Sequence, residues 1–229
     1  MTGSFAELNL AAAQVFSGPG TLVLANGTLT GTATLTVNTS ASLTGVDMRD
    51  TGTTLLNGTT TVSGSGFTMD GGRVLTNSGT VTWTAGTIEL NGSGQAGAGT
   101  IHNLVGATWL DSGTGSKSMR SVFGSVADNT LALFNNAGTY TKSGTGTSAI
   151  GVNVTDTGTF TVTGGTLDFS ALTNTHSATS TVTVEAGATL TNSGSTQVLT
   201  GGTVAVAGTL SMTGSFAELN LAAAQVFSG

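Results

Sequence analysis

Short runs of alternating apolar and polar residues recur along the whole chain, each closed by Gly or Asn. Thr80-Val81-Thr82-Trp83-Thr84 and Thr159-Phe160-Thr161-Val162-Thr163 place their apolar side chains on one face, because successive side chains of a β-strand point to opposite sides. GTVTWTAGTIEL (79–90), GTYTKSGTGTSAI (138–150) and GTFTVTGGTLDFS (158–170) each read as a strand, a Gly turn and a second strand. Residues 3–17 fit an amphipathic helix through Phe5, Leu8, Ala12 and Val15. The alternation Leu8-Asn9-Leu10 and the pair Val15-Phe16 fit strands equally well, and the surrounding pattern favours strands. Residues 112–130 keep the rhythm poorly and are expected to bulge out as a surface loop.

The unit repeats at a nearly fixed interval. Gly31 to Gly52, Gly58 to Gly79 and Gly187 to Gly208 are each 21 residues; Gly79 to Gly99 and Gly138 to Gly158 are each 20. A period of 20–21 residues with two or three short strands predicts an all-β chain, a single continuous parallel β-helix over residues 1–229. One coil cannot bury its inward face alone; stacked coils bury a continuous column and pair each backbone with the coils above and below. A β-sandwich is the competing fold, but it would not require this regular spacing.

A larger repeat encloses the smaller one. Residues 1–18 read MTGSFAELNLAAAQVFSG, and residues 212–229 are identical. This predicts a tandem array with a module of 211 residues (1–211), in which 212–229 begin the next module. The chain is then expected to continue after Gly229 with Pro-Gly-Thr-Leu-Val-Leu, as in 19–24. A duplication introduced during cloning is the alternative. At 20–21 residues per coil the 211-residue module holds about ten coils. With strands ~4.8 Å apart it advances roughly 50 Å.

Composition narrows the function. Only 7% of the 229 residues are charged while 38% are hydrophobic, and mean hydropathy is positive, so the chain is not of the disordered class. The 36 Gly residues do not recur every third position, which excludes collagen. Net charge is −6, and the five basic residues (Arg49, Arg73, Lys117, Arg120, Lys142) are scattered, so no patch suits nucleic acid. No apolar run of about 18 residues is present, so no membrane-inserted helix is expected. Cysteine is absent, which removes disulfides and thiolate metal sites. Met1-Thr2-Gly3-Ser4-Phe5 lacks the basic and apolar regions of a signal peptide.

LFNNAGTYTKSGTGTSAIGVNVTDTGTFTVTGGTLDFS (133–170) and VEAGATLTNSGSTQVLTGGTVAVAGTLSM (184–212) resemble the β-strand-repeat regions of giant bacterial surface proteins, akin to filamentous-haemagglutinin-like adhesins and autotransporter passenger domains. The resemblance covers nearly the whole chain. It implies a right-handed parallel β-helix, secretion to the cell surface or beyond, and a stalk or adhesion role. An exact 211-residue duplication suits a long uniform stalk better than a specialised binding tip. The expected partner is therefore the chain itself, head to tail, with a glycan or cell surface as the alternative.

Candidate chemistry is sparse. Asp47 and Asp50 flank Arg49, but the Asn-Thr-Asp and Gly-His-Gly motifs of pectin-cleaving β-helices are absent, and Asp156 and Asp168 are 12 residues apart, about half a coil. Two histidines, His102 and His176, are too few for a His-based zinc site. Gly71-Gly72-Arg73-Val74 and Gly164-Gly165-Thr166-Leu167-Asp168 do not match the calcium repeat Gly-Gly-x-Gly-x-Asp. No enzymatic activity and no cofactor or metal are expected.

Surface binding has three sequence candidates. Lys117, Met119 and Arg120 are candidate contacts on the 112–130 loop. Trp83, Trp109 and Tyr140 could stack on a glycan, with core packing the alternative. Thr-x-Thr pairs such as Thr80/Thr82 and Thr159/Thr161 could form an ice-binding array; twenty residues beyond Thr80 the text reads Thr100-Ile101-His102, which would break it. Asn38, Asn57, Asn77, Asn135, Asn136, Asn153 and Asn192 suit either turns or a stacked amide ladder inside a corner.

Overall fold

The computed structural model describes residues 6–92, 94–122, 131–170, 173–215, 217–222 and 227–228. Among these residues thirty short strands run from β1 (Glu7–Asn9) to β30 (Phe227–Ser228). Every third strand joins the same sheet. Sheet I contains β1, β4 (Thr28–Thr30), β7 (Val46–Met48), β10 (Gly66–Met69), β13 (Thr87–Glu89), β16 (Lys117–Arg120), β19 (Thr147–Gly151), β22 (Thr166–Phe169), β25 (Thr189–Asn192) and β28 (Thr209–Met212). Sheet II runs from β2 (Gln14–Phe16) through β14 (Thr100–Asn103) and β17 (Leu133–Asn136) to β29 (Glu218–Leu221), and sheet III from β3 (Thr21–Ala25) to β30, each again with ten strands. All strand pairings are parallel, so the chain winds as a β-solenoid of about ten turns. The segment 6–16 forms two strands rather than a helix.

The alternation read from the sequence is the reason each strand sits as it does. In most four-residue strands the second and fourth side chains are buried and the first and third are partly exposed. The inward set stacks coil on coil: Leu75 on Ile101 on Phe134 on Val154, and Val81 on Trp109 on Tyr140 on Phe160. These columns merge into one core running the length of the molecule. Burying a side chain of this size contributes about 1.5–3 kcal/mol. A one-residue slip would turn every apolar residue outward, so the register is strongly specified.

Coil length is less regular than the glycine spacing suggests. Register partners lie 19 residues apart at Leu35 and Thr54 and 21 apart at Thr60 and Val81. They lie 33 apart at Ile101 and Phe134 and 31 apart at Met119 and Ile150. The extra length enters mainly at one corner, where sheet I passes to sheet II, after β13 and after β16. The first insertion folds back on the solenoid: Ala98 bridges Asp70 antiparallel, and the buried Asp70 accepts a hydrogen bond from Gln95 N at 3.0 Å. The second contains 123–130, which lie outside the described residues. The loop expected over 112–130 is thus corrected: Lys117–Arg120 form a sheet strand paired with β13 and β19.

Candidate functional site

Three arrangements of polar groups stand out, two inside the solenoid and one on its surface. The first is a polar seam in the inward column of sheet II. Asn77 Nδ2 donates to Asn103 Oδ1 at 2.8 Å, Asn103 Nδ2 to Asn136 Oδ1 at 2.7 Å, and Asn136 Nδ2 to Asp156 Oδ1 at 2.9 Å. Beyond it, His176 Nδ1 lies 3.0 Å from Asp156 Oδ2 and His176 Nε2 lies 3.3 Å from Gln197 Oε1. Each amide also donates to a strand-opening carbonyl of the next coil, at Thr108, Thr139 and Thr159, between 3.0 and 3.2 Å. The corner backbone is served as well: Gly79 N donates to Asn77 Oδ1 and Gly158 N to Asp156 Oδ1. Identical side chains in register satisfy one another, which is how a buried amide avoids its desolvation cost.

Of the asparagines singled out in the sequence, only Asn77 and Asn136 belong to this seam. Asn103, which was not singled out, is its middle member. Asn38 and Asn57 pair on the exposed surface, Asn135 contacts His102 Nδ1, and Asn192 closes a local turn with Ser195.

The second arrangement is a buried charged cluster. Asp111 receives the Tyr140 hydroxyl on Oδ2 at 2.8 Å and forms an ion pair with Lys117 through Oδ1. Lys117 Nζ also donates to Trp83 O at 2.8 Å and sits 4.9 Å from the Trp83 ring centroid. Lys142 donates to the carbonyls of Gly144 and Gly164. Burial holds the Lys142 ammonium below its usual pKa, while Asp111 opposes the shift. Burial raises the Tyr140 phenol well above its usual value, and the neighbouring Asp111 carboxylate adds to it. Elsewhere Arg73, fully buried, donates to Arg49 O at 2.9 Å and is lowered by burial to about 10.

These placements correct the sequence-derived contact candidates. Lys117 and Met119 are buried, because the alternation of β16 turns them inward; only Arg120 is exposed, bound to Glu89 Oε1 at 2.6 Å. Trp83, Trp109 and Tyr140 are fully buried and offer no face to a sugar. Trp109, Phe134, Tyr140, Phe160, Phe169 and His176 instead form a chain of ring contacts along the axis, with Tyr140 stacked on Phe160 at 4.8 Å.

The candidate acids do not converge either. Asp47 pairs with Arg49, Asp50 accepts from Gly31 N, Asp156 is buried against His176, and Asp168 accepts from Ser193. Among the described residues no three His, Asp or Glu side chains come together as a metal-binding set.

The third arrangement is the outer face of sheet III. Its first outward file reads Thr59, Thr80, Thr108, Thr139, Thr159, Thr181, Thr203 on successive coils. The second reads Thr61, Thr82, Leu110, Thr141, Thr161, Thr183, Ala205. None of these fourteen positions is charged, whereas the outer face of sheet I carries Asp47, Glu89, Arg120 and Asp168. The expected break therefore falls on one file only: the first is an unbroken run of threonines, while the second is interrupted at Leu110 and Ala205. The register neighbour of Thr80 is Thr108, not Thr100, because the inserted residues after β13 lengthen that coil to 28 residues.

No family model, curated protein or solved structure matches this chain.

Proposed function

We propose that this chain is a non-enzymatic structural repeat of a long β-solenoid fibre at a cell surface or outside the cell, which extends or stacks head to tail. The observation that carries this reading is the last coil. Leu210, Met212, Leu219 and Leu221 occupy inward-facing register positions yet are 38–50% exposed. An apolar core that opens at a strand edge favours another coil of the same cross-section over any small ligand. The resemblance to repeat regions of bacterial surface proteins supports the extracellular setting. Electron microscopy of the purified chain tests the reading: unbranched filaments with strands ~4.8 Å apart along the axis support it, and monodisperse short rods sink it.

The threonine face favours a second reading, a surface that orders water or binds ice. Hydroxyls and methyls repeat there at ~4.8 Å across the strands and about 6.6 Å along them, save at Leu110 and Ala205, with no charge among the fourteen positions of the two files. Ice recrystallisation assays on the wild type and on Thr141→Lys/Thr161→Lys test it. Inhibition lost in the variant supports this use of the face; a wild type no better than an inert protein removes it.

A further inference from the structure

The described strands of the two identical eighteen-residue segments occupy different sheets. Glu7–Asn9 of the first copy lie in sheet I, where Leu8 pairs with Leu29. The corresponding Glu218–Leu221 of the second copy lie in sheet II, where Leu219 pairs with Gln197. The same shift holds one strand later. Phe16 is in sheet II beside Val37, and its counterpart Phe227 is in sheet III beside Val204. β29 is the twenty-eighth strand after β1, and with three strands per coil the 211-residue repeat spans nine and one third coils. The sequence therefore returns to its starting point one third of a coil out of phase with its starting sheet.

Resting on the head-to-tail reading above, we infer that the open end of the solenoid receives a second copy of this chain rotated by one third of a turn, with the incoming β3 placed on β28 of sheet I. The register follows from the inward positions. Leu210 and Met212 face the core in β28, and Leu22 and Leu24 face it in β3. Pairing Thr209 with Thr21 sets Leu210 against Leu22 and Met212 against Leu24. It also continues the outward column Thr147, Thr166, Thr189, Thr209 with one more threonine.

In this arrangement β29 of the receiving copy lies beneath β4 of the incoming copy, the place that the incoming copy's own β1 holds in the isolated chain. The two strands share the sequence Glu-Leu-Asn, so the exchange reproduces the same contacts, including a glutamate for the Thr30 hydroxyl, which Glu7 accepts at 2.8 Å. Each junction then uses one copy of the eighteen-residue segment and releases the other. The coil that would be released is held by fewer contacts than an inner one: β1 pairs with β4 over three residues, Val15 and Phe16 are 63% and 38% exposed, and Leu10 is the one buried side chain among its described residues. Docking without rotation would instead set β1 on β28, β2 on β29 and β3 on β30, keeping both copies of the segment in the junction.

The test uses the 229-residue chain and reads two independent quantities. Helical analysis of filaments by electron microscopy is expected to give a rotation of one third of a turn per chain and a rise of roughly 45 Å, with the true repeat after three chains. Leu219→Asp is expected to abolish filament growth, whereas Leu8→Asp, the same substitution at the same place in the identical segment, leaves growth within about twofold of wild type. Circular dichroism of both variants reports that the remaining coils stay folded. Filaments with no rotation between chains, or growth blocked equally by Leu8→Asp and Leu219→Asp, overturn the one-third-turn junction while leaving head-to-tail stacking intact. Failure of the wild-type chain to form filaments overturns both.

Discussion

Asn103 and Asn136 are 33 residues apart in sequence and joined by a 2.7 Å amide hydrogen bond inside the solenoid, in a seam that runs from Asn77 to Gln197. The bond exists because the two residues share one inward column of sheet II. Alanine at Asn103 removes one of the two acceptors of the Asn77 amide and the donor to Asn136 Oδ1, in a place water does not reach. Asn103→Ala is expected to destabilise by about 1–3 kcal/mol. Asn57→Ala, at the exposed pair with Asn38, is expected to stay within ~0.5 kcal/mol. Denaturant unfolding of the two variants checks this; equal effects would mean the seam adds nothing beyond ordinary turn chemistry.

The buried charged cluster predicts an asymmetry between its members. Asp111→Ala strands Lys117 in the core beside Trp83 and is expected to cost about 3–5 kcal/mol. Lys142→Met loses two hydrogen bonds to carbonyls but also sheds the burial that depresses its pKa, so it is expected to fall within about 1 kcal/mol of wild type. Thermal unfolding of the two variants side by side decides it.

Tyr140 is the sole tyrosine in the chain, so its titration is directly visible. Its phenol is raised above the ordinary value of 10.0 by burial and by Asp111. A raised folded value means that the native state keeps a proton the unfolded chain has lost. This contribution to stability is intact below pH 10.0 and declines as pH rises above it. Tyrosinate absorbance in the folded protein is therefore expected only well above pH 10.0, and stability in the Tyr140→Phe variant should fall less steeply over the same range. An ordinary phenol titration in the folded state would contradict the buried placement.

Two glycines should respond unequally to alanine. Gly66 opens β10 at φ +88°, and a Cβ built there would meet Thr87 O of the next coil at 2.0 Å. Gly66→Ala is expected to cost about 2–4 kcal/mol from backbone strain and overpacking together. Gly115, in the turn before β16, has open space around it, and Gly115→Ala is expected to change stability by less than ~0.5 kcal/mol. Melting temperatures of the pair test whether coil stacking sets the requirement for glycine.

The sequence by itself determined most of the strands, with their inward faces, and the solenoid, but not β16. Alternation such as Thr159 to Thr163 is a local property with a period of two, and glycine recurrence marks the coil without knowledge of the neighbours. It also contained the exact duplication of 1–18 at 212–229. Only the tertiary structure decided which residue lies above which. Hydrogen-bonded stacking tolerates insertions at a corner, so coils of 19 to 33 residues keep one register, and a fixed count of 20 misplaces the neighbour. That is why Thr80 meets Thr108, why Asn103 completes a seam that spacing did not reveal, and why Lys117 turned out to be a core residue. The same long-range count sets Leu8 in sheet I and Leu219 in sheet II, because the phase of a repeat depends on the total number of strands between its copies and on no residue near either one.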